Sequence, residues 1–306
     1  MPRPRHCAPP AQCARLHSRQ RLYLMHSMPR ATQSELAQQF LALHDGRKTL
    51  LLPNAWDVAS ARIFEDAGFP AVGTSSAGVA FALGYPDGQK ISRDEMLAVV
   101  HRIAEIVHIP VTADVEAGYG PEPRDVAETA REVIAAGAVG MNLEDAIHGK
   151  PDALADVNLQ KDKILAVNEV SARAGISFVL NARTDVFLAE IGPAETRLAR
   201  AIERLNAYRE AGAQSLFVPG VKDKETIAQL ASRVHGPLNI LATAGTPPLA
   251  ELEKLGVARV SVGSGPMRAT LGLVSRMARQ LHDEGTFSLM TDGAMTYADA
   301  NRLFPR

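Results

Sequence analysis

The stretch Asp114-Val115-Glu116-Ala117-Gly118-Tyr119-Gly120 places two carboxylates two residues apart, directly after the apolar run Ile109-Pro-Val-Thr-Ala113. Alternate residues of a strand face the same way, so the pair is expected on one face at a strand end. Gly118 and Gly120 let the backbone turn sharply and approach a ligand closely. Two carboxylates so placed suit a hard cation, and they equally suit a solvated edge or an ion pair. A further acidic step, Glu144-Asp145, falls where the run Val139–Leu143 should end. Oxygen ligands converging from adjacent strands favour the cation, Mg²⁺ or Mn²⁺.

From residue 49 onward, short apolar runs alternate with helical patterns, and these elements must position the acids. Strands are expected at Thr49–Pro53, Ala71–Thr74, Val111–Val115, Val139–Leu143, Ser177–Asn181, Ser215–Val218, Leu238–Leu241 and Val257–Val262. Helical stretches include Ala55–Ala67, Arg124–Ala136, Ala194–Ala211 and Lys222–Val234. Ala67-Gly68, Ala136-Gly137 and Ala211-Gly212 carry the glycine that commonly ends a helix. Regular alternation implies a parallel sheet, and eight units imply a (β/α)8 TIM barrel rather than an open doubly wound sheet. No G-x-G-x-x-G follows the first strand, where a dinucleotide would need it.

Composition narrows the function classes. A chain of 306 residues with 46% hydrophobic content can bury one large core, and its formal charge of −1, without a basic stripe, argues against nucleic-acid binding. No apolar run reaches the length of a membrane span. Cys7 and Cys13 both lie in the first segment, so the rest of the chain offers no cysteine nucleophile. Residues 1–27 hold Arg3, Arg5, Arg15, Arg19 and Arg21 with no acid, and read as a disordered basic extension, with an organellar targeting segment as the alternative. The barrel is expected over residues 28–284 and a helical tail over 285–306.

A barrel keeps its chemistry at the carboxyl ends of its strands. Read in order, those ends give Asn54 with Trp56-Asp57, then Thr74-Ser75-Ser76-Ala77-Gly78, then Asp114 and Glu116, then Glu144-Asp145. Asn181-Ala-Arg183-Thr-Asp185, Thr243-Ala-Gly245-Thr246 and Gly263-Ser264-Gly265 with Arg268 complete the ring. Each has a plainer explanation. Ser75 and Ser76 could be helix caps, Arg183 and Asp185 a structural ion pair, Trp56 core filling, and His101 and His108 surface or capping residues. Convergence at one end of the barrel favours a site.

These motifs carry a resemblance. From about Gln33 to Arg279 the chain resembles the isocitrate lyase/phosphoenolpyruvate mutase superfamily, through Thr74–Gly78, Gly84-Tyr85-Pro86-Asp87, Asp114-x-Glu116-x-Gly118-Tyr119-Gly120, Asn142-Leu143-Glu144-Asp145 and Asn181–Asp185. The resemblance implies Mg²⁺ held directly by Asp114, with Asp87, Glu116 and Glu144 acting mainly through coordinated waters. It also implies that backbone N–H groups of Ser75, Ser76 and Ala77 take a carboxylate or phosphonate, and that Arg183 takes a second oxygen group. Trp56 and Asp87 join the expected substrate contacts. The shared chemistry is stabilisation of a pyruvate-like enolate.

Departures from the family pattern bear on the substrate. The loop after strand four reads Ala146-Ile-His-Gly-Lys-Pro-Asp-Ala-Leu-Ala155 and lacks the cysteine of isocitrate-type lyases, leaving His148 and Lys150 as loop donors or as ordinary solvated residues. Pro219-Gly220 stands where those lyases carry a glutamate after strand six. The long Asn-Ser-Leu loop of phosphonate mutases is not evident. The expected function is a Mg²⁺-dependent lyase acting on a C–C bond of a small 2-oxo or 2-hydroxy carboxylate, with a phosphonate or carboxyphosphonate mutase and a non-catalytic metal-carboxylate binding barrel as alternatives. Family members are usually tetramers that exchange a C-terminal helix, and Phe287, Leu289, Met290, Met295, Tyr297, Leu303 and Phe304 give the tail an apolar side. A cytoplasmic homotetramer with no membrane or nucleic-acid partner is expected.

Overall fold

Pro53 interrupts the first apolar run and, having no N–H, removes one ladder donor from it. In the computed structural model, which describes residues 30–45, 48–150 and 152–304, the run accordingly splits into β1 (Leu50–Leu52) and β2 (Asn54–Ala55). The basic extension 1–27 lies outside the described residues. The remaining strands are β3 (Val72–Thr74), β4 (Val111–Asp114), β5 (Gly140–Glu144), β6 (Val179–Arg183), β7 (Ser215–Val218), β8 (Leu238–Leu241) and β9 (Arg259–Ser261). Every neighbouring pair is parallel, in the order β1-β9-β8-β7-β6-β5-β4-β3-β2. The two ends of that order are joined covalently through Pro53, so the sheet closes as a TIM-type barrel with nine strand segments instead of the expected eight strands.

Helices cover the outside, and their starts follow from capping chemistry. They are α1 (Gln33–Ala42), α2 (Val58–Asp66), α3 (Ser76–Ala82), α4 (Arg93–Ile106), α5 (Pro123–Ala135), α6 (Val157–Ala174), α7 (Ala194–Glu210), α8 (Lys224–Arg233), α9 (Leu249–Lys254) and α10 (Gly265–Arg279). Asp57 caps α2 by accepting from the Ser60 N–H at 2.7 Å, and Thr32 with Glu35 and Ser92 with Glu95 form reciprocal boxes at α1 and α4. The expected Ala-Gly exits are present, with Gly68, Gly137 and Gly212 at φ near +90° to +99°.

The main core lies between the strands and the outer helices, with Met141, Leu143, Leu180, Leu205 and Tyr208 fully buried. A second cluster closes the amino end of the barrel. There Leu36, Ala37 and Phe40 of α1 press on Leu50, Leu52, Val139 and Val179, all at or beside strand starts. That packing fills the axis of the barrel at the amino ends of the strands, away from the polar residues at the carboxyl ends.

Two strand boundaries differ from the sequence reading in a way that matters for the site. β6 runs two residues past the expected Ser177–Asn181, which carries Arg183 onto the strand, and β5 ends on Glu144. An apolar run marks a strand without marking where its ladder stops. The stop is set by the β5–β6 register, which pairs Glu144 with Arg183.

After α10 the chain makes a π-helical turn, Gln280–Glu284, and two short helices, α11 (Ser288–Thr291) and α12 (Tyr297–Arg302). Only Met267 of α10 is buried, and Leu271, Val274, Leu281, Phe287, Leu289, Met290, Met295 and Tyr297 are exposed. The arm touches the barrel where the Leu303 carbonyl accepts from Arg62 Nε at 2.7 Å. No described helix is long and apolar enough to cross a membrane.

Asn54 fastens the closure. Its Nδ2 donates to the Thr74 carbonyl at 2.8 Å, and its Oδ1 accepts from the N–H groups of Val262 and Gly263, both at 2.9 Å. One buried amide therefore ties the first strand to its neighbours on both sides. Asn54→Ala should destabilise the protein by about 2–4 kcal/mol in urea unfolding, because three backbone groups lose their partner in a site that admits little water. A change below about 0.5 kcal/mol would show that barrel closure does not depend on this side chain.

Candidate active site

The parallel register assembles the polar groups in rows. Asp114 of β4 pairs with Asn142 of β5, which pairs with Asn181 of β6. Their side chains follow the backbone: Asn181 Nδ2 donates to Asn142 Oδ1 at 2.8 Å, and Asn142 Nδ2 donates to Asp114 Oδ1 at 3.3 Å. Asp114 Oδ2 accepts from the Ser76 N–H at 3.0 Å and from Ser76 Oγ at 2.8 Å. Both oxygens of Asp114 are thus engaged, one by the amide row and one by the start of α3.

Glu116 does not reach the site by strand alternation. β4 ends at Asp114, and Glu116 sits at φ +53°, a left-handed conformation that is unfavourable for a residue with a Cβ. Gln89 at +54° and Tyr119 at +58° share this conformation, so three of the four described non-glycine residues with positive φ meet around one place. Such strain concentrates where function holds it. The result is a fixed carboxylate: Glu116 Oε2 accepts from the Gln89 N–H at 2.6 Å, while Oε1 is buried and has no partner. Gly118, at φ +90°, makes the expected sharp turn, but Gly120 approaches protein instead of ligand, since a Cβ there would lie 2.2 Å from that of Asp125.

Beside them, Arg183 is held on two sides. Its Nη1 lies 2.7 Å from Glu144 Oε2, and its Nε and Nη2 fork onto Asp185 at 2.5 and 2.9 Å. The ion-pair reading of Arg183 and Asp185 is therefore realised in the structure. The adjacent acids of the Glu144-Asp145 step separate completely. Asp145 turns away from the site, takes Arg204 Nε and Tyr208 Oη each at 2.7 Å, and accepts the Asp185 N–H at 2.9 Å, which locks α7 against the ends of β5 and β6.

The other expected residues divide. His148 comes in from the loop after β5, with Nε2 buried, unpartnered, 3.6 Å from Glu116 Oε2 and 3.5 Å from Glu144 Oε1. Lys150 is exposed at a turn and its N–H closes onto the Ile147 carbonyl. Asp87 is exposed, accepting from the Gly88 N–H, yet close enough for its charge to act on Glu116 and His148. Ser75 does cap α3 through Gly78, and its own N–H is given to the Ala55 carbonyl. Ala77 is buried beside it, and Trp56 packs on Val79, Ala80, Ile91 and Met96. Gln89 joins the site without having been singled out from the sequence, and Tyr119, named there as part of the Gly-Tyr-Gly motif, had been given no role; their left-handed backbone is not marked by residue type.

Electrostatically the site is short of positive charge. Burial, then Asp114 and Asp87, push Glu116 up to about 8. Burial raises Glu144 well above the usual carboxylate range against the pull of Arg183, and Asp185 is raised for the same reason. Tyr119 rises through burial and the Glu116 charge, and burial lowers His148. Acids crowded until they resist ionisation, one with a vacant buried oxygen, are a donor set that a divalent cation would relieve. Glu116, Glu144 and His148 can each bring one ligand atom within 4.8 Å of the others, which fits such an ion.

Comparison with known proteins places the chain in a family. The family model for phosphoenolpyruvate phosphomutase matches residues 40–282. The 2-methylisocitrate lyase of Escherichia coli is 31% identical over 247 residues, covering 77% of this chain and 81% of that protein. An oxaloacetate decarboxylase of Rhodopseudomonas palustris is 31% identical over 253 residues, covering 79% of this chain and 83% of the relative. Among solved structures, phosphonopyruvate hydrolase in complex with oxalate and Mg²⁺ superposes with a TM-score of 0.78 at 26% identity, covering 89% of this chain and 95% of the other.

The raised carboxylates have a measurable consequence. A native state that keeps protons on Glu116 and Glu144 after the unfolded chain has released them is most stable below the ordinary value of 4.5, and loses that advantage as pH rises through about 8. His148, lowered from 6.5, has the opposite effect only below that value. Between pH about 6.5 and about 8, the metal-free protein should therefore lose thermal stability relative to Glu116→Gln. Added Mg²⁺ should raise Tm more at the upper end of the window than at the lower. Parallel pH profiles for the two proteins would place the titration elsewhere.

Proposed function

Because the chain belongs to the isocitrate lyase/phosphoenolpyruvate mutase superfamily, we propose that it is a Mg²⁺-dependent lyase cleaving a C–C bond of a small 2-oxo or 2-hydroxy carboxylate through a pyruvate-like enolate. The observation that carries this reading is the group of buried acids, Asp114, Glu116, Glu144 and Asp185, gathered around the single guanidinium of Arg183. Asp114, Asp87, Glu116 and Glu144 are the residues that would hold the cation. Bound there, it would supply Lewis acidity for the negative charge that develops when the bond to C3 breaks.

The chain's own residues do the rest. Arg183, clamped by Glu144 and Asp185 and lying 5.8 Å over the Phe217 ring, offers its remaining N–H groups to a substrate carboxylate in a fixed orientation. In the Ser75-Ser76-Ala77 turn, buried at the start of α3, the Ser75 and Ser76 N–H groups are already given to Ala55 and Asp114, so the Ala77 N–H is the donor proposed for the second carboxylate contact, with Trp56 as the wall behind it. The loop from Ala146 to Leu154 is closed on itself by an antiparallel bridge between those residues and carries His148 over the acids, which limits the water that reaches the site. Decarboxylation of an oxaloacetate-like acid requires the least additional machinery, since carbon dioxide leaves without a protonated partner.

The exposed apolar side of α10 and the arm that follows it supports assembly with further copies of the chain, a homotetramer by family habit. Light scattering at micromolar concentration should report an oligomer. A monomer would leave that apolar surface without a partner and defeat the assembly proposal.

Pyruvate release from a panel of 2-oxo and 2-hydroxy acids, run beside phosphorus NMR of phosphonate substrates, tests the reaction. Pyruvate formation without phosphorus rearrangement is expected, the reverse pattern would make the protein a mutase, and no turnover of either class would leave a binding barrel. Asp114→Asn should lower kcat by about 10²–10³, as it keeps the side-chain size and the oxygen that accepts from Ser76 while removing the charge and the contact with Asn142 Nδ2. Arg183→Lys should cost at least about 100-fold in kcat/KM, because an ammonium cannot hold Glu144, Asp185 and a carboxylate in one plane. Unchanged kinetics in either variant would remove that residue from the site.

A further inference from the structure

Arg259 is the largest fully buried side chain among the described residues, at 1% exposure, and it has no part in the chemistry above. It stands on β9 between Leu50 of β1 and Asn239 of β8. Val260 belongs to the outer core, so Arg259 and Ser261 on either side of it face the barrel interior. There Arg259 Nε donates to Ser261 Oγ at 3.3 Å, and Ser261 Oγ bonds the Asn239 amide at 3.0 and 3.2 Å. Ser261 lies two residues nearer the carboxyl end, so the arginine runs along the axis toward the acids. Its charge is felt at both ends: by Asp114 above, and by His44 below, whose ring burial and the Arg259 charge together lower to about 4.

Four buried polar atoms in this interior and at its amino end have no hydrogen-bond partner among the described residues: Arg259 Nη1, His44 Nε2, Thr112 Oγ1 and Asn181 Oδ1. Thr112 stands two residues below Asp114 on β4, and Asn181 ends the amide row that supports Asp114. A guanidinium donor among acceptors is the partner set that a buried water takes. A buried guanidinium with a free N–H is also costly, and an apolar side chain of similar volume in such a place is commonly neutral or stabilising. Packing alone therefore gives no reason for an arginine at 259. Its position beneath the Asp114 row does.

We propose that Arg259 is a positioning residue of the site, supporting the Asp114–Asn142–Asn181 row from beneath through ordered water shared with Thr112 and Asn181. The inference rests on the reading of the carboxyl end as an active site, but not on which bond is broken there. Side chains behind a functional carboxylate fix its orientation, and their loss is felt in the rate more than in the fold. Support through water also suits the geometry of Asp114, whose two oxygens are given to Ser76 and Asn142. A direct ion pair with Arg259 would draw that carboxylate down the axis, away from both.

The test uses the full chain and reads structure, stability and rate. A high-resolution crystal structure of the wild-type protein should show water within hydrogen-bond distance of Arg259 Nη1 and of Thr112 Oγ1 or Asn181 Oδ1. A guanidinium in direct contact with Asp114, or no water at Nη1, would overturn the proposal. Arg259→Met, similar in length and uncharged, should keep or raise the urea midpoint. It should nonetheless lower kcat by about 10–100-fold with KM little changed, and Arg259→Lys should recover most of that rate. A purely structural arginine gives the reverse, a lower midpoint with kcat unchanged; that result, or a Lys variant as slow as the Met variant, also overturns it. Where no acid is turned over at all, the proposed reaction fails by itself, and crystals of the Met variant decide the present inference: Asp114 displaced from Ser76 or Asn142 supports it, and an unmoved Asp114 overturns it. The wild-type crystal and the Lys variant suffice if the Met variant does not fold.

Discussion

The site is governed by an excess of buried negative charge. Four carboxylates are withdrawn from water at one end of the barrel, and among the described residues the guanidinium paired with any of them is that of Arg183, which holds Glu144 and Asp185. A second buried guanidinium, Arg259 of β9, lies within electrostatic reach of Asp114, but burial lowers it to about 9, and its Nε donates to Ser261 Oγ. Isolated charges in such an interior would cost several kcal/mol each, so the acids respond by holding their protons or by recruiting a cation. The rest of the architecture can be understood as what keeps them in place despite this.

Three devices do so. The parallel register lines up Asp114, Asn142 and Asn181 so that neutral amides, not charges, support the first acid. The left-handed backbone at Gln89, Glu116 and Tyr119 holds the second acid in a position that ordinary strand geometry would not give it. The Arg183 fork holds Glu144 and Asp185 from the neighbouring strand. Each device depends on strands being closed and in register, and the barrel is closed at Pro53 by one residue, Asn54, whose amide reaches both flanking strands. Closure and site are coupled through that residue, since the Thr74 carbonyl it holds directly precedes the Ser75–Ala77 turn.

Neighbouring residues with the same chemistry acquire different functions through direction alone. Glu144 faces the barrel axis, while Asp145 faces outward to Arg204 and Tyr208. His148 faces the acids, whereas Lys150 two residues later is exposed. The two ends of the molecule differ in the same way: α1 packs its apolar face over the amino ends of the strands, and the arm beyond α10 leaves an exposed apolar surface.

The sequence by itself determined the alternation of strands and helices, and hence the parallel barrel, because hydrophobic periodicity and Ala-Gly exits are local properties. It also located the polar strand ends, and membership of the superfamily follows from motifs that lie there. What it could not determine was direction and vacancy. Pro53 was visible as a residue, but its division of one strand into two ladder partners depends on strands over two hundred residues apart in the chain. Glu116 was counted as facing with Asp114 by strand alternation, yet it arrives through a left-handed turn; Gly118 and Gly120 were read together as a sharp turn that approaches a ligand, and the space beside Gly120 is filled by Asp125. Whether an acid is paired, as Asp145 is, or left with an unbonded oxygen, as Glu116 is, depends on partners from distant segments converging at hydrogen-bond distance. That convergence is a property of the closed barrel and of no stretch of sequence within it.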